Sequence, residues 1–543
     1  MKVDNIIKII QTTQPITSIS LIEKSYDVLK NNLGNLSFLE KQIVLNKAVD
    51  NGVEAAKRRA RIEFICACLL FDLATHNPDF ESIIKKELNE HVAKLVKAHF
   101  ITSSHFKDSN QYLLSHSFRT AQLLASTKIN VPAICAALLH EIPVHTKTST
   151  KTLAGDFEPE TIKLIENFVK IRSIKNVNNS QFASSLREMT MAMAEDLRVV
   201  IIKMCSNIDR LKHNLIKDEQ KLLNVASESR DILAPLADLL GLWELRWQLE
   251  DYSFKILEQP CYEKISKRFH IDEKKNREKY IEKTKYLIQK ASKASKINCS
   301  IEGRFKHFYS IHKKMVHKKK TFDEICDVFA LRIVVSSVDD CYRMLGIIHR
   351  LWKPKQRRFK DYIATPKNNN YRSLHTTVFG LNGRPTEFQI RTPEMDEEAN
   401  FGISAHWYYK NPRKKTPEWI QELLKNQHKY RNDEEFLEKF SSEVLSNQIY
   451  VYTPKGDVIA LPIGATPVDL AYHVHTEVGH ACQTARVNEI SVPLNYQLST
   501  NDTVEIILDR ENAKPDPKWL EFVKTTQAKK HIELFWDDKP LKT

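Results

Sequence analysis

The sequence lacks several features that would assign its class directly. No apolar run reaches the roughly 18 residues that a membrane-spanning helix needs. The longest run, residues 64–74, is interrupted by Asp72 and predicts a buried helix. The nine cysteines form no Cys-x-x-Cys pair, which argues against a disulfide framework or a zinc ribbon and indicates a reducing, cytoplasmic setting. The glycine-rich motifs GxxxxGK(S/T) and GxGxxG are absent too, so any bound phosphate must meet side-chain cations.

Length and charge narrow the possibilities further. The chain has 543 residues, of which 42% are hydrophobic, and it carries a net charge of +14. This length predicts several globular domains rather than one core. A cationic surface favours polyanionic partners such as nucleotides, RNA or ribosomes, but it does not specify a fold.

The hydrophobic pattern changes twice along the chain. Residues 1–255 repeat apolar side chains at helical spacing and contain little glycine, whereas residues 262–296 are strongly charged and predict an exposed connecting helix. After residue 298, β-branched runs and an Asn-Gly turn at Asn382 predict a mixed α/β domain. A hairpin, a helix and further strands follow from residue 448. The predicted domains are 1–210 (helical), 211–297 (helical connector), 298–412 (mixed α/β), 413–447 (helical linker), 448–509 (small α+β) and 510–543 (the start of a helical region).

The mixed α/β domain concentrates cations around two carboxylates. The segment "RRFKDYIATPKNNNYRSLHT" (residues 357–376) contains five Lys or Arg, and "GRFKHFYSIHKKM" contains four more. Asp327 opens an apolar strand and Glu387 lies within "PTEFQIRT". Phosphoryl transfer needs such cations together with carboxylates that hold a hard metal ion. Each of the two carboxylates could also have a purely structural role, because Asp327 could cap a turn and Glu387 could face solvent. Charge and aromatic content alone do not separate a nucleotide site from a nucleic-acid surface.

Five segments in sequence order resemble the long Rel/SpoT alarmone synthetases. They are "GRFKHFYSIHKKM", "DVFALRIVV", "RRFKDYIATPKNNNYRSLHTTVFG", "TEFQIRTPEMDEEANFGISAHWYYK" and "YVYTPKGDVIALPIGATPVDLAYHVHTEVGHAC". The resemblance runs from about residue 110 to about residue 530. It implies a multidomain α+β protein with an all-helical HD-type N-terminal domain, a mixed α/β nucleotidyltransferase-like synthetase domain and a β-grasp TGS domain.

The resemblance also implies an activity, transfer of the β,γ-diphosphate of ATP to the 3′-hydroxyl of GDP or GTP. Asp327 and Glu387 would hold Mg²⁺, with Glu387 also activating the hydroxyl, and Tyr371 would stack on guanine. The nucleotide-binding residues implied are Arg304, Lys306, Ser310, Lys314, Arg358, Lys360, Lys367, Asn369, Tyr371, His375, Gln389 and Arg391. The sequence Arg358-Phe359-Lys360-Asp361 is the basic form of the family motif, which usually accompanies two activities.

The implied HD-type hydrolase site departs from the family pattern. The family binds Mn²⁺ through two His and two Asp, and here the motifs give His116 and His140 but place Glu141 as the acidic partner. The Glu-Asp pair that positions water is replaced by Val144 and His145. The last ligand falls on Ser206, and Asp209 would serve only in a shifted register. Because carboxylates supply the charge that such a metal site needs, the sequence predicts a degenerate domain without bound Mn²⁺ and with hydrolysis lost.

The TGS-like segment suggests further partners. In ribosome-dependent relatives this module contacts the acceptor end of tRNA, and His475 is the matching position, although it could equally be a surface histidine. Longer relatives continue into further regulatory domains beyond the position of Thr543, so the chain is either naturally short or a fragment. Two alternatives therefore remain beside a synthetase that makes (p)ppGpp: a bifunctional synthetase and hydrolase, and a non-catalytic adaptor for tRNA or ribosomes without a membrane role.

Overall fold

The structure of the chain is a computed structural model. It describes residues 3–11, 17–34, 36–106, 110–172, 189, 191–193, 195–270, 273–305, 307–318, 329–356, 358–366, 371–402, 448–454, 458–499, 502–509 and 514–537. The chain divides into two compact units, one with the described residues up to 402 and one with those from 448 onward. In the described part of the chain, no helix combines the length and apolar character needed to cross a bilayer.

The first unit begins with a large helical region, as the apolar spacing predicts. Its helices are Val3–Gln11, Thr17–Asn31, Phe38–Lys57, Ile62–Leu70, Leu73–His76, Phe80–Glu87, Glu90–Phe106, Gln111–Ser126, Val131–Leu139, Ile142–His145, Thr150–Leu153, Pro159–Arg172, Leu197–Lys212, Glu219–Glu228, the π-helical turn Ser229–Leu233, Ala234–Leu239, Trp243–Leu257, Gln259–His270 and Glu273–Ala294. The apolar run at residues 64–74 is buried in Ile62–Leu70 and Leu73–His76, which confirms the prediction of a buried helical segment.

Residues 262–296 were predicted to form an exposed connecting helix, and this prediction is wrong for one face of the helix. The helix Glu273–Ala294 buries Tyr280, Ile281 and Ile288. Ile281 and Ile288 pack into the apolar core of the following sheet, and the Tyr280 hydroxyl lies 2.5 Å from Thr386 Oγ1. The three side chains recur at helical spacing, so they form a narrow apolar stripe on an otherwise charged helix. The surrounding lysines and glutamates dominate the local composition and hide that stripe.

A five-stranded mixed sheet follows in the same unit. Its strands are β1 (Cys299–Phe305), β2 (Phe329–Val335), β3 (Lys360–Asp361), β4 (Leu374–Phe379) and β5 (Pro385–Arg391). The spatial order is β1-β2-β5-β4-β3, with β2 and β5 parallel and the other pairs antiparallel. The helices Phe308–Lys318, Val338–Leu351 and Pro393–Phe401 complete the domain. The predicted turn joins β4 to β5, and Asn382 and Gly383 adopt φ of 56° and 69° there, a left-handed conformation that Asn and Gly tolerate best.

The two faces of this sheet differ in chemistry because side chains alternate along each strand. Leu331, Leu374, Phe388 and Ile390 point into the apolar core, which the helix Val338–Leu351 covers. The opposite face carries Arg332, His375, Glu387, Gln389 and Arg391. The antiparallel register of β4 and β5 places His375 opposite Gln389 and Thr377 opposite Glu387. The polar residues predicted for the site are therefore brought to one face.

The second unit has the predicted arrangement of hairpin, helix and strands. Its elements are β6 (Gln448–Tyr452), β7 (Val458–Pro462), the helices Pro467–Val474 and Thr476–His480, β8 (Cys482–Val487), β9 (Ile490–Val492), β10 (Val504–Leu508), a 3-10 turn Pro517–Glu521 and the helix Thr526–Asp537. The predicted basic helix after residue 515 is instead broken near Thr525. Asp469 Oδ1 accepts hydrogen bonds from the backbone N–H groups of Lys524 and Thr525. Thr525 Oγ1 in turn accepts a hydrogen bond from the backbone N–H of Ala528 and so caps the new helix.

Candidate active site

A chain of three polar side chains occupies the polar face of the sheet. His375 Nδ1 lies 3.3 Å from Glu387 Oε1, and His375 Nε2 lies 2.8 Å from the Tyr371 hydroxyl. Gln389 Nε2 donates to the same oxygen of Glu387 at 3.1 Å. Burial alone would lower the pKa of His375, but Tyr371 and Glu387 outweigh it and raise that pKa. The imidazole thus links the predicted guanine platform to the predicted catalytic carboxylate.

Aromatic side chains fix the position of Tyr371 just before β4. The Tyr371 ring meets the Tyr362 ring edge to face at 6.0 Å and the His375 ring at 5.7 Å. Lys360 Nζ lies 5.9 Å from the centre of the Tyr362 ring, so the predicted cation Lys360 stands near the same cluster. Arg358 is exposed. Edge-to-face packing of this kind holds a ring rigidly.

Tyr371, His375 and Gln389 border a pocket of about 220 Å³. Its lining combines the sheet, the helix Pro393–Phe401 and, unexpectedly, the helical region. The lining residues are Asp238, Gly241, Trp243, Arg246, Arg332, Tyr371, His375, Gln389, Arg391, Glu398, Ala399 and Asn400. Gly402 permits this close approach, because a Cβ there would lie 2.1 Å from the carbonyl oxygen of Leu240. The pocket is therefore lined both by the helical region and by the mixed α/β domain of the first unit.

Two buried guanidinium groups supply positive charge to this pocket. Arg391 Nη2 lies 2.6 Å from Asp396 Oδ1, and Arg332 Nη1 lies 3.2 Å from the same oxygen. Among the described residues, none accepts a hydrogen bond from Nε of either arginine. Burial and the neighbouring Arg391 lower the pKa of Arg332. Two cations that share one carboxylate leave a positive excess, which suits a phosphate group. Arg391 was predicted from the sequence, whereas Arg332 was not. Its one indication in the sequence is that it is a charged residue within the apolar strand β2.

The helix Phe308–Lys318 carries Ser310 and Lys314, which are predicted to bind ATP. Its first turn is capped from the helical region, since Asp251 accepts hydrogen bonds from the backbone N–H groups of Phe308 and Tyr309 at 3.2 and 2.9 Å. His307 stacks on Trp247 at 4.2 Å. Burial raises the pKa of Asp251 to about 6. The helical region therefore positions the start of the predicted ATP-binding helix.

Several residues that are predicted to form the synthetase site lie outside the part of the chain that the structure describes. Lys306, Asp327, Lys367 and Asn369 lie outside the described residues, and only the backbone of Arg304 is described. The register of β1 and β2 places Arg304 opposite Ala330. The roles of all these residues remain predictions.

A second cluster lies in the helical region, where the HD motif predicts a hydrolase site. His116, His140 and Glu141 are fully buried, and one ligand atom from each lies within 4.8 Å of the other two. His140 Nε2 is 3.0 Å from Glu141 Oε1, and His116 Nε2 is 3.4 Å from that oxygen. Ser206 Oγ lies 3.1 Å from His116 Nε2. By position alone, three of these groups could face a metal ion.

The surrounding charges do not fit such an ion. Arg210 donates to Glu141 Oε1 at 2.6 Å, and Arg172 donates to Glu141 Oε2. His145 Nε2 also lies 3.0 Å from Oε2. Although burial opposes ionisation, His140 and Arg210 hold the pKa of Glu141 well below its ordinary value. Both carboxylate oxygens are thus already neutralised by cations of the chain, and a divalent ion would meet two guanidinium groups.

Asp209 does not replace the missing ligand. It binds the opposite nitrogen of the imidazole, with Oδ2 2.7 Å from His116 Nδ1. Arg119 forms two hydrogen bonds with the Asp209 carboxylate, at 2.6 and 3.0 Å. The other replaced positions supply no carboxylate either, because Val144 is apolar and partly exposed. Arg172 and Arg210 were missed by the sequence analysis, since no local pattern connects them to Glu141.

His475 lies in the second unit, between the helices Pro467–Val474 and Thr476–His480. It is exposed, and its Nδ1 accepts a hydrogen bond from the backbone N–H of Glu477 at 3.2 Å. Its extended backbone, with φ of −167°, separates the two helices. The position is accessible to a partner, and the tRNA contact remains a prediction.

Three family models match the chain in the order that these structural parts follow. An HD domain matches residues 98–243, the region found in RelA/SpoT proteins matches residues 303–414, and a TGS domain matches residues 449–508. The mixed sheet with its polar face therefore defines a synthetase domain of the RelA/SpoT type. Together with the HD and TGS matches, it makes the chain similar in domain order to the long RelA/SpoT proteins.

Curated relatives resemble the chain over most of its length. It is 40% identical over 436 residues to guanosine-3′,5′-bis(diphosphate) 3′-pyrophosphohydrolase of Aquifex aeolicus, covering 79% of this chain and 62% of that protein. It is 37% identical over 448 residues to a probable GTP pyrophosphokinase of Mycobacterium leprae, covering 80% and 57%. It is 37% identical over 434 residues to the bifunctional (p)ppGpp synthase/hydrolase SpoT of Escherichia coli, covering 78% and 62%. The aligned part thus spans about three fifths of these relatives.

Proposed function

We propose that this protein transfers the β,γ-diphosphate of ATP to the 3′-hydroxyl of GDP or GTP, giving (p)ppGpp and AMP. The observation that carries the proposal is the polar face of the sheet, where Glu387, His375 and Tyr371 are connected beside the buried guanidinium groups of Arg332 and Arg391. The relatives named GTP pyrophosphokinase and SpoT support the same activity.

The chemistry assigns a separate task to each group. The oxygen of the 3′-hydroxyl attacks the β-phosphorus of ATP, the bond from that phosphorus to the α,β-bridging oxygen breaks, and AMP leaves with that oxygen. Glu387 accepts the hydroxyl proton, and His375 holds the carboxylate through Oε1. Arg332 and Arg391 bind phosphate oxygens of the acceptor nucleotide. Fixed cations of this kind stabilise developing negative charge without reorganisation.

Mg²⁺ is the metal that this site would use. Glu387 fits it, because a carboxylate at 21% exposure on the polar face offers the oxygen ligands that Mg²⁺ prefers. Asp327 would be the second ligand. When bound, Mg²⁺ neutralises charge on the transferred phosphoryl group.

We propose further that the HD pocket has lost ppGpp hydrolysis. Its support is the pairing of both Glu141 oxygens with Arg172 and Arg210 and the absence of carboxylates at Val144, His145 and Ser206. The SpoT relative is named as a bifunctional synthase and hydrolase, and a bifunctional enzyme is therefore the alternative. We also propose that the TGS domain, through His475, contacts tRNA on the ribosome.

One set of assays separates these functions. Labelled ATP is incubated with GDP and Mg²⁺, with and without ribosomes, using the wild type, Asp327→Ala and the control Asp339→Ala. Asp339 is an acidic residue in the first turn of the helix Val338–Leu351. We expect (p)ppGpp from the wild type and the control only. No (p)ppGpp under either condition would refute the synthetase and favour the adaptor. A parallel incubation with ppGpp and Mn²⁺ should release no 3′-diphosphate, and release would show a bifunctional enzyme.

A further inference from the structure

A third cluster of ligand-type side chains joins the end of one helix to the helix that carries Ser310 and Lys314. Glu258 follows the helix Trp243–Leu257, Cys261 lies in the first turn of Gln259–His270, and His312 lies on Phe308–Lys318. One ligand atom from each of the three lies within 4.8 Å of the other two. His312 Nε2 is 3.1 Å from Glu258 Oε2. Three separate helical segments thus present an oxygen, a sulfur and a nitrogen to one point.

We propose that Glu258, Cys261 and His312 form a Zn²⁺ site. A thiolate, an imidazole and a carboxylate are the ligand types that Zn²⁺ combines, whereas Mg²⁺ and Ca²⁺ prefer oxygen alone. Two ligands that each lie about 2.1 Å from a tetrahedral ion are about 3.4 Å apart, which is close to the 3.1 Å between His312 Nε2 and Glu258 Oε2. Three protein ligands leave the fourth position for water.

The surroundings orient these ligands and leave the site open to solvent. Arg230 Nη1 binds the other oxygen of Glu258 at 3.2 Å, and its own charge is balanced by Asp231 at 2.7 Å. Glu258 Oε2 is therefore directed toward His312. The ring of Phe254, which is buried, lies 4.8 Å from the imidazole. An outer layer that combines oriented polar partners with apolar packing is typical of metal sites. The His312 side chain is 18% exposed and that of Glu258 is 35% exposed, so an ion can enter.

The position of the site gives it a structural consequence. Zn²⁺ bound there would connect the end of Trp243–Leu257 to the helix that carries Ser310 and Lys314. An ion that binds only the folded state stabilises it by mass action. Zn²⁺ should therefore raise the melting temperature of the chain, whether or not the protein makes (p)ppGpp.

The test uses the full chain, reduced and stripped of metal, with Co²⁺ and Zn²⁺ as probes. Co²⁺ should produce a thiolate-to-metal charge-transfer band, and Zn²⁺ should abolish it at one equivalent. Cys261→Ser should remove the band, and His312→Ala should weaken Zn²⁺ binding more than about 100-fold, beyond the loss expected for an outer partner. Zn²⁺ affinity is measured by competition with a chromophoric chelator.

Two control variants make the result specific. Cys299→Ser removes a partly buried cysteine elsewhere in the first unit, and His140→Ala removes a ligand of the HD cluster. Both should keep the band and the stoichiometry. The proposal is overturned if no thiolate band forms, if Cys261→Ser keeps it, or if His140→Ala rather than Cys261→Ser abolishes stoichiometric Zn²⁺ binding. Circular dichroism of each variant separates loss of a ligand from loss of the fold.

Discussion

The most informative perturbation is Glu141→Gln in the HD pocket. The wild-type carboxylate is fully buried, and it pairs with Arg172 and Arg210, whose side chains are 23% and 17% exposed. The amide keeps the shape but removes the negative charge, so two largely buried cations lose their counter-charge. Removing one partner of a buried ion pair costs about 3–5 kcal/mol. Because both arginines reach some solvent, we expect the lower end, about 3 kcal/mol, and a fall of several degrees in Tm.

The assay compares thermal unfolding of the wild type, Glu141→Gln and a matched surface change. Glu302→Gln also removes a carboxylate that binds an arginine, Arg59, at 3.0 Å, but its side chain is 49% exposed. An exposed pair contributes about 0–1 kcal/mol, so this control should melt almost as the wild type does. An equal shift in the two variants would contradict the inference that Glu141 anchors a buried charge network.

The same experiment decides between an ion-pair network and a metal site. Unfolding is repeated with Mn²⁺ in a Cys261→Ser background, so that the proposed zinc site does not contribute. If Arg172 and Arg210 neutralise Glu141, Mn²⁺ shifts Tm by the same amount with and without the Glu141→Gln change. A rise in Tm that Glu141→Gln abolishes would show that the pocket binds metal, and the argument from ion pairing at Glu141 would then be wrong.

Three further predictions concern the synthetase domain and the helix Trp243–Leu257 that contacts it. Tyr371→Ala should weaken acceptor-nucleotide binding by about 1–3 kcal/mol, the scale of base–aromatic stacking, whereas Tyr371→Phe should keep most affinity; an unchanged KM for GDP in the alanine variant would contradict stacking. Glu387→Gln should lower kcat at least about 100-fold because an amide cannot accept the hydroxyl proton, and kcat near the wild-type value would exclude that role. Burial raises the pKa of Asp251 from 3.8 to about 6, so its contribution to stability is complete below pH 4 and is lost as pH rises through 6, by about 3 kcal/mol. The Tm of Asp251→Asn should therefore decrease less than the Tm of the wild type between pH 4 and pH 7. If the two proteins show the same dependence of Tm on pH, the raised pKa of Asp251 is refuted.

Local patterns predicted the elements that carry the synthetase site. The alternation in "RSLHTTVFG" and "PTEFQIRT" fixes which face of β4 and β5 each side chain occupies, and the Asn382–Gly383 turn sets the register that places His375 opposite Gln389. For this reason the pairing of His375 with Glu387 follows from strand geometry once the hairpin is known.

Contacts between distant segments could not be predicted in the same way. Glu141 meets Arg172 and Arg210 because three helices pack around it, and the sequence separations of 31 and 69 residues leave no periodic signal. A single long helix was also predicted where the chain breaks near Thr525, because Asp469, which binds the backbone at the break, lies far earlier in the sequence. The spacing of apolar residues predicts which face of a helix is buried, but it does not predict which charged side chains of other helices meet that face.

The helix Trp243–Leu257 connects the parts of the first unit that matter for catalysis. At its start, Trp243 and Arg246 line the pocket that contains Tyr371 and Arg391. Near its end, Asp251 caps the helix predicted to bind ATP. A rigid helix rises about 1.5 Å per residue, so these contacts lie within about 12 Å along one axis. A displacement of this helix cannot change one predicted nucleotide site without disturbing the other, and both substrates therefore depend on the packing of the helical region.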